Sequence, residues 1–130
     1  MIIRQISVFI ENKKGRLADV TNVLANENIN IKALSLADTS DFGILRMIVD
    51  EIEKAIYSLK QAGFIVKETD VLAVEVEDRP GGLNSILQKF KEYNIDIAYM
   101  YAFVESLNSN ALLVFKVSDI DKAIKVLNQK

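Results

Sequence analysis

Two short stretches of this chain carry residues that could hold a small charged molecule. The first reads Asn12-Lys13-Lys14-Gly15-Arg16-Leu17, and the second reads Asp78-Arg79-Pro80-Gly81-Gly82-Leu83. Each follows an alternating apolar run and opens a helical pattern, so each is expected to be a strand-to-helix turn. A glycine there lets the backbone adopt φ > 0, or approach a ligand with no Cβ in the way. The helix that begins behind it presents unpaired N–H groups and a partial positive charge, which suits a carboxylate. The Asn12 amide oxygen or the Asp78 carboxylate can accept hydrogen bonds from an ammonium group. Together these are the parts of a site for a small zwitterion. A tight turn needs the same glycine with no ligand at all; two copies at matching positions favour the binding reading.

Other residues bound the chemistry. The chain has no histidine and no cysteine, which removes the commonest general base, the commonest metal ligand and all thiol chemistry. No metal-ligand cluster and no Walker-type phosphate loop is present, and no cofactor is expected. Tyr99 and Tyr101 lie in an alternating run in which Ile97 and Phe103 share their face, and Ala98, Met100 and Ala102 take the other. Those tyrosines either pack in a core or line a pocket. A base-stacking surface is disfavoured by Glu75 nearby and by the net charge of −2 with a pI of 5.2. The same charge balance gives no reason to expect a nucleic acid or an anionic membrane as partner. Arg46, inside an apolar strand, is read as an ion pair or a solvated position, with a carboxylate partner at an interface as the sharper alternative. An acylphosphatase-like hydrolase would need Arg16 and Asn12 at one turn, but Gly82 stands at the position matching Arg16.

The elements that must position these turns are themselves repeated. Ile6, Val8 and Ile10 match Leu72, Val74 and Val76, and Leu17, Val20 and Leu24 match Leu83, Ile86 and Phe90. Asn28-Ile29-Asn30-Ile31 matches Asn94-Ile95-Asp96-Ile97, and Lys54-Ala55-Ile56 later meets Lys122-Ala123-Ile124. The chain is a tandem duplication. In the first copy, strands are expected at 3–10, 29–37, 43–49 and 64–66. Helices are expected from Leu17 to Glu27 and, behind an Asp50/Glu53 capping box, through Leu59 to a stop at Gly63. Asn28 is expected to be left-handed, and residues 38–41 form a polar loop. In the second copy, strands are expected at 72–76, 95–104 and 111–117, with a loop at 105–110. Its first helix carries Leu83, Ile86, Leu87 and Phe90 on one face. Its last helix is capped by Ser118 with Asp121. The fourth strand of the second copy is missing.

This order gives an α+β fold of two ferredoxin-like βαββαβ repeats, residues 1–68 and 69–130, the second lacking its last strand. The missing strand would lie beside Leu72–Val76. That edge either invites another chain or is served locally if 64–68 runs on into it. Small twin cores also lead us to expect a homodimer. No run is long enough for a signal or membrane-spanning segment, and the chain is read as cytoplasmic.

Asn/Asp-x-x-Gly-x-Leu between the first strand and first helix of βαββαβ resembles the ACT domain. The whole chain is similar to stand-alone bacterial proteins made of two such domains, as Glu27-Asn28-Ile29-Asn30 and Asp41-Phe42-Gly43-Ile44-Leu45-Arg46 also indicate. Lys14 stands where proline is common in that family, and Gly82 where a larger residue often follows the key glycine. The resemblance implies a non-catalytic regulatory protein that binds an amino acid at an interface between domains, beside the turns. It implies ligand-binding roles for Asn12, Lys14, Gly15, Arg16, Leu17, Asp78, Pro80, Gly81, Gly82, Leu83, Tyr99 and Tyr101. The signal would pass to a metabolic enzyme or regulator. The remaining alternative is an assembly module whose sites are vestigial.

Overall fold

Alternation along the first strand decides which face meets the helices. Ile6, Val8 and Ile10 of β1 (Ile2–Glu11) point one way and are all buried, and the helices cover that side. A computed structural model describes residues 1–38, 41–105 and 110–129. Six strands, all paired antiparallel where their register is defined, and four helices make up the described residues. None of the helices is long and apolar enough to cross a membrane. The chain divides into two bodies, Arg4–Thr69 and Asp70 onward together with Met1–Ile3.

In the first body, β1 is followed by α1 (Arg16–Asn26), β2 (Ile31–Asp38), β3 (Phe42–Val49) and α2 (Ile52–Gln61). The strand order is β2-β3-β1, with the first residues of β4 (Ile65–Glu77) beyond β1. Ile6 lies opposite Met47 and Val8 opposite Leu45, so the two strands present one apolar surface to the helices. Val20 and Leu24 of α1 and Ala55 and Leu59 of α2 close over it. Fully burying a side chain of this size stabilises the fold by about 1.5–3 kcal/mol.

The second body has the last residues of β4, α3 (Gly82–Glu92), β5 (Ile97–Ala102), β6 (Asn110–Val117) and α4 (Ile120–Leu127). Its order is β4-β6-β5, with Leu72 opposite Phe115 and Val74 opposite Leu113. Phe90 of α3 meets Phe115 edge to face, centroids 5.6 Å apart. That geometry adds roughly 0.5–1.5 kcal/mol beyond the area buried.

Three helices end in one hydrogen-bond pattern. After α1, Asn28 takes φ 58° and the Ile29 N–H reaches the Leu24 carbonyl at 2.9 Å. After α3, Asn94 at φ 55° lets Ile95 reach Phe90, and after α2, Gly63 at φ 91° lets Phe64 reach Leu59. In each case the residue beyond the left-handed position is apolar and packs into the core beside the carbonyl it bonds, which makes these Schellman endings.

Several expectations need correction. The runs at 64–66 and 72–76 are one strand, β4, with no break between Ile65 and Glu77, so of the two readings the one in which 64–68 runs on holds and that of separate strands does not. Met1–Ile3 belong with the second body: the Met1 nitrogen donates to the Ala73 carbonyl at 3.2 Å and the Ala73 N–H returns a bond to Met1 at 2.8 Å. The vacant edge beside Leu72–Val76 is therefore met by the start of β1. Asp50 does not cap α2, whose N-cap is Glu51 with no side-chain bond. Its carboxylate instead accepts from the Asn30 N–H at 3.0 Å, while the Asp50 N–H bonds the Asn30 carbonyl. Ser118 does the same to Asp96, and Asp119 is the cap of α4 through the Lys122 N–H. A short acceptor before a helix serves as a clasp to the neighbouring strand when that strand's N–H lies nearer than the helix's own. The expected loops at 38–41 and 105–110 fall largely on residues 39–40 and 106–109, outside the described residues; Asp38 and Asn110 belong to β2 and β6.

Candidate functional site

The two turns are built alike, bond for bond. In the first, Lys13 N–H bonds Glu11, Arg16 N–H bonds Lys13, and Asp19 N–H bonds Gly15 to start α1. In the second, Arg79 bonds Glu77, Gly82 bonds Arg79 and Ser85 bonds Gly81. Gly15 and Gly81 are the N-caps, both at φ 88°, where a residue with a Cβ would be strained. Each turn also carries an ion pair two residues apart, Glu11–Lys13 at 2.9 Å and Glu77–Arg79. Lys13, and to a lesser degree Arg16, holds the Glu11 carboxyl below the usual range, so Glu11 is anionic near neutral pH.

Around this shared frame the side chains differ. At the first turn a hollow of about 500 Å³ opens beside Glu11, Asn12, Lys13 and Arg16 and continues to Phe9, Asp41, Phe42, Gly63, Phe64 and Ile65. The Arg16 guanidinium sits over the Phe64 ring, 4.6 Å from its centroid, and its Nη1 reaches Asp19 at 3.1 Å. Its Nε is enclosed and has no hydrogen-bond partner. A second hollow of about 220 Å³ lies on the other side of Glu11–Lys13, against Ile10, Leu17, Leu36, Asp38 and Gly43. Asn12 donates its amide to Asp38 at 3.2 Å, which leaves its oxygen to accept. Lys14 is exposed on the turn, outside both linings.

At the second turn the hollow is about 140 Å³, lined by Glu75, Val76, Glu77, Arg79, Gly82, Ser85 and Ile86. A Cβ on Gly82 would overlap the Glu77 carbonyl oxygen, so the helix start lies against its own strand. Asp78, Pro80, Gly81 and Leu83 are exposed and outside that lining. Tyr99 and Tyr101 are not part of it either. A bulge between Ile97 and Tyr99 changes the alternation of β5, so that Ile97 and Met100 pack toward the helices and the two tyrosines face the other way. The expected sharing of one face by Ile97, Tyr99 and Tyr101 is thereby corrected. Tyr101 is nonetheless buried.

With this duplicated turn in view, the comparisons with known proteins are decisive for the family. A model described as "ACT domain pair" matches residues 1–130. The chain belongs to the ACT domain pair family. Protein BT0572 of Bacteroides thetaiotaomicron, a crystal structure, is 45% identical with a TM-score of 0.91, covering 98% of this chain and 87% of that one. The regulatory subunit of aspartate kinase from Thermus thermophilus, in a ligand-free form, superposes with a TM-score of 0.69 at 12% identity, covering 99% and 96% of the two chains. The corresponding subunit from Thermus flavus gives 0.67 at 16% identity, covering 98% and 91%. These last two show a common fold. No curated protein matches the chain.

The sequence reading of this ACT domain pair placed the two glycine turns between strand and helix, where the structure has them, with Gly15 and Gly81 at the helix N-caps and outside the linings of the hollows. Of the residues lining the larger hollow it named Asn12 and Arg16, and it left out Phe9, Glu11, Lys13, Asp41, Phe42, Gly63, Phe64 and Ile65. The available signal was topological: in βαββαβ, the connection after the second helix returns to the end of the sheet where the first turn lies.

Proposed function

We propose that this ACT domain pair is a regulatory protein that binds a free amino acid beside its strand-to-helix turns and performs no chemistry of its own. The observation that carries the reading is the first turn, where an anionic Glu11, the cations Lys13 and Arg16 and the Asn12 oxygen border two hollows. That set offers partners to both charges of a zwitterion. The superposition on subunits named as regulatory supports the role, and a sequence without histidine or cysteine supports the absence of catalysis. The bound state would signal allosterically to a metabolic enzyme or regulator in the cytoplasm, or change the protein's own association. A homodimer is supported by the open edge of β2, whose Leu36 is 51% exposed.

Thermal denaturation of the full chain against each of the twenty amino acids tests this. A ligand at about a hundredfold its Kd stabilises the native state by about 2.7 kcal/mol. The expected result is a raised Tm for at least one amino acid, lost in Gly15→Val, with sedimentation of a dimer with or without ligand. No shift with any amino acid would leave an assembly module as the reading.

A further inference from the structure

The first turn's larger hollow differs from everything at the second turn in having an aromatic wall. Phe9 and Phe42 line it, and Phe64 forms a floor on which Arg16 is stacked. The residues at the matching places in the second copy are Glu75 and Asn110, which hydrogen-bond each other at 2.8 Å, and Gly82 stands in place of Arg16. Frame and backbone bonds are duplicated, whereas the Arg16 guanidinium and the phenyl rings lining the hollow have no counterpart at the second turn.

We infer that this hollow takes one free α-amino acid with a large apolar side chain, aromatic or branched, and that the second turn takes none. The inference rests on the amino-acid reading above and names the ligand class. Arg16 is the carboxylate partner: its planar fork suits a carboxylate, and of its two terminal nitrogens only Nη1 is committed to Asp19. Glu11 is the ammonium partner. Because Arg16 lies on the Phe64 ring, a carboxylate held by Arg16 brings the ligand's side chain against phenyl rings. Volume decides between small and large ligands. About 500 Å³ is within the usual range of ligand clefts. A glycine or serine would leave most of it, and the rings, in contact with water.

Calorimetric titration of the full chain with L-phenylalanine, L-leucine, L-alanine and glycine tests the inference, with 2-phenylethylamine and 3-phenylpropionate as probes lacking one charge. Phenylalanine or leucine should bind at one per chain, about ten- to hundredfold tighter than alanine, as burial of the side chain requires. Each single-charge probe should bind at least roughly tenfold more weakly. Arg16→Gln should weaken phenylalanine by about tenfold or more, with partial retention in Arg16→Lys. Phe42→Ala should weaken phenylalanine by a larger factor than it weakens alanine; Phe42 is 53% exposed, so the fold tolerates its loss. Melting curves of the ligand-free variants check that they are folded. Equal or tighter binding of small amino acids would overturn the inference and leave amino-acid sensing standing. So would two equivalents per chain, or phenylalanine binding indifferent to both Arg16→Gln and Phe42→Ala. Absence of binding by every amino acid overturns both.

Discussion

Gly81 and Gly82 stand side by side but are constrained by different forces. Gly81 has φ 88° and open space where a Cβ would go, so its constraint is conformational. Gly82 has ordinary helical dihedrals, and its constraint is the Glu77 carbonyl oxygen. Gly81→Ala should cost about 1–2 kcal/mol through left-handed strain. Gly82→Ala should cost about 1–3 kcal/mol because the turn must open to admit the methyl group. Asparagine separates the two causes. It tolerates the left-handed region, as Asn28 and Asn94 do in this chain, so Gly81→Asn should recover much of the loss and Gly82→Asn none. Urea denaturation of the four variants checks this; recovery at both positions would show that strain alone governs the turn. The need for a glycine was legible in the sequence. Which glycine answered to which force was not, because close backbone approach leaves no periodic signal.

At the scale of elements, Arg4 of β1 joins Glu53 of α2 and Glu68 of β4, both through its guanidinium. The bond to Glu68, and then that to Glu53, raises the Arg4 pKa, and Arg4 in turn holds the Glu68 carboxyl below the usual range. A carboxyl lowered in the folded state contributes stability above its unfolded pKa and loses that contribution as pH falls through the folded one. Arg4 stays charged across this range. Glu68→Gln should therefore flatten the acid side of the stability profile, its stability falling less than that of the parent between about pH 6 and pH 3. Parallel slopes in denaturation at each pH would show that the exposed pair contributes nothing measurable. The strands and helices themselves were largely readable from apolar periodicity, since Ile6/Val8/Ile10 and Leu72/Val74/Val76 mark the face of each strand that joins the apolar core. Two features were not. The bulge in β5 turns on one residue inserted opposite β6, which alternation cannot reveal. The clasps of Asp50 and Ser118 look in sequence like helix caps, because the same short acceptor serves either N–H.

At the scale of the molecule, duplication explains what the two bodies share, and the difference between them lies in the fourth strand. The first copy has the opening of β4 beside β1. In the second body no strand in the fourth-strand place follows α4 among the described residues. Met1–Ile3 take that place, with two backbone hydrogen bonds exchanged between Met1 and Ala73. Without them the polar groups of Ala73, a buried residue, would have to find water or another chain. Removing residues 1–3 should therefore speed amide hydrogen exchange at Ala73 by at least roughly tenfold, as loss of a hydrogen bond worth about 1–1.5 kcal/mol implies. Amides of the β1–β3 pairing, such as those of Val8 and Leu45, belong to the other body and should keep their protection. Exchange resolved residue by residue reads both at once. Unchanged protection at Ala73 in the shortened, monomeric chain would mean that the first residues do not complete the second sheet. Protection that returns only as the concentration rises would mean that a neighbouring molecule can replace them at the same edge.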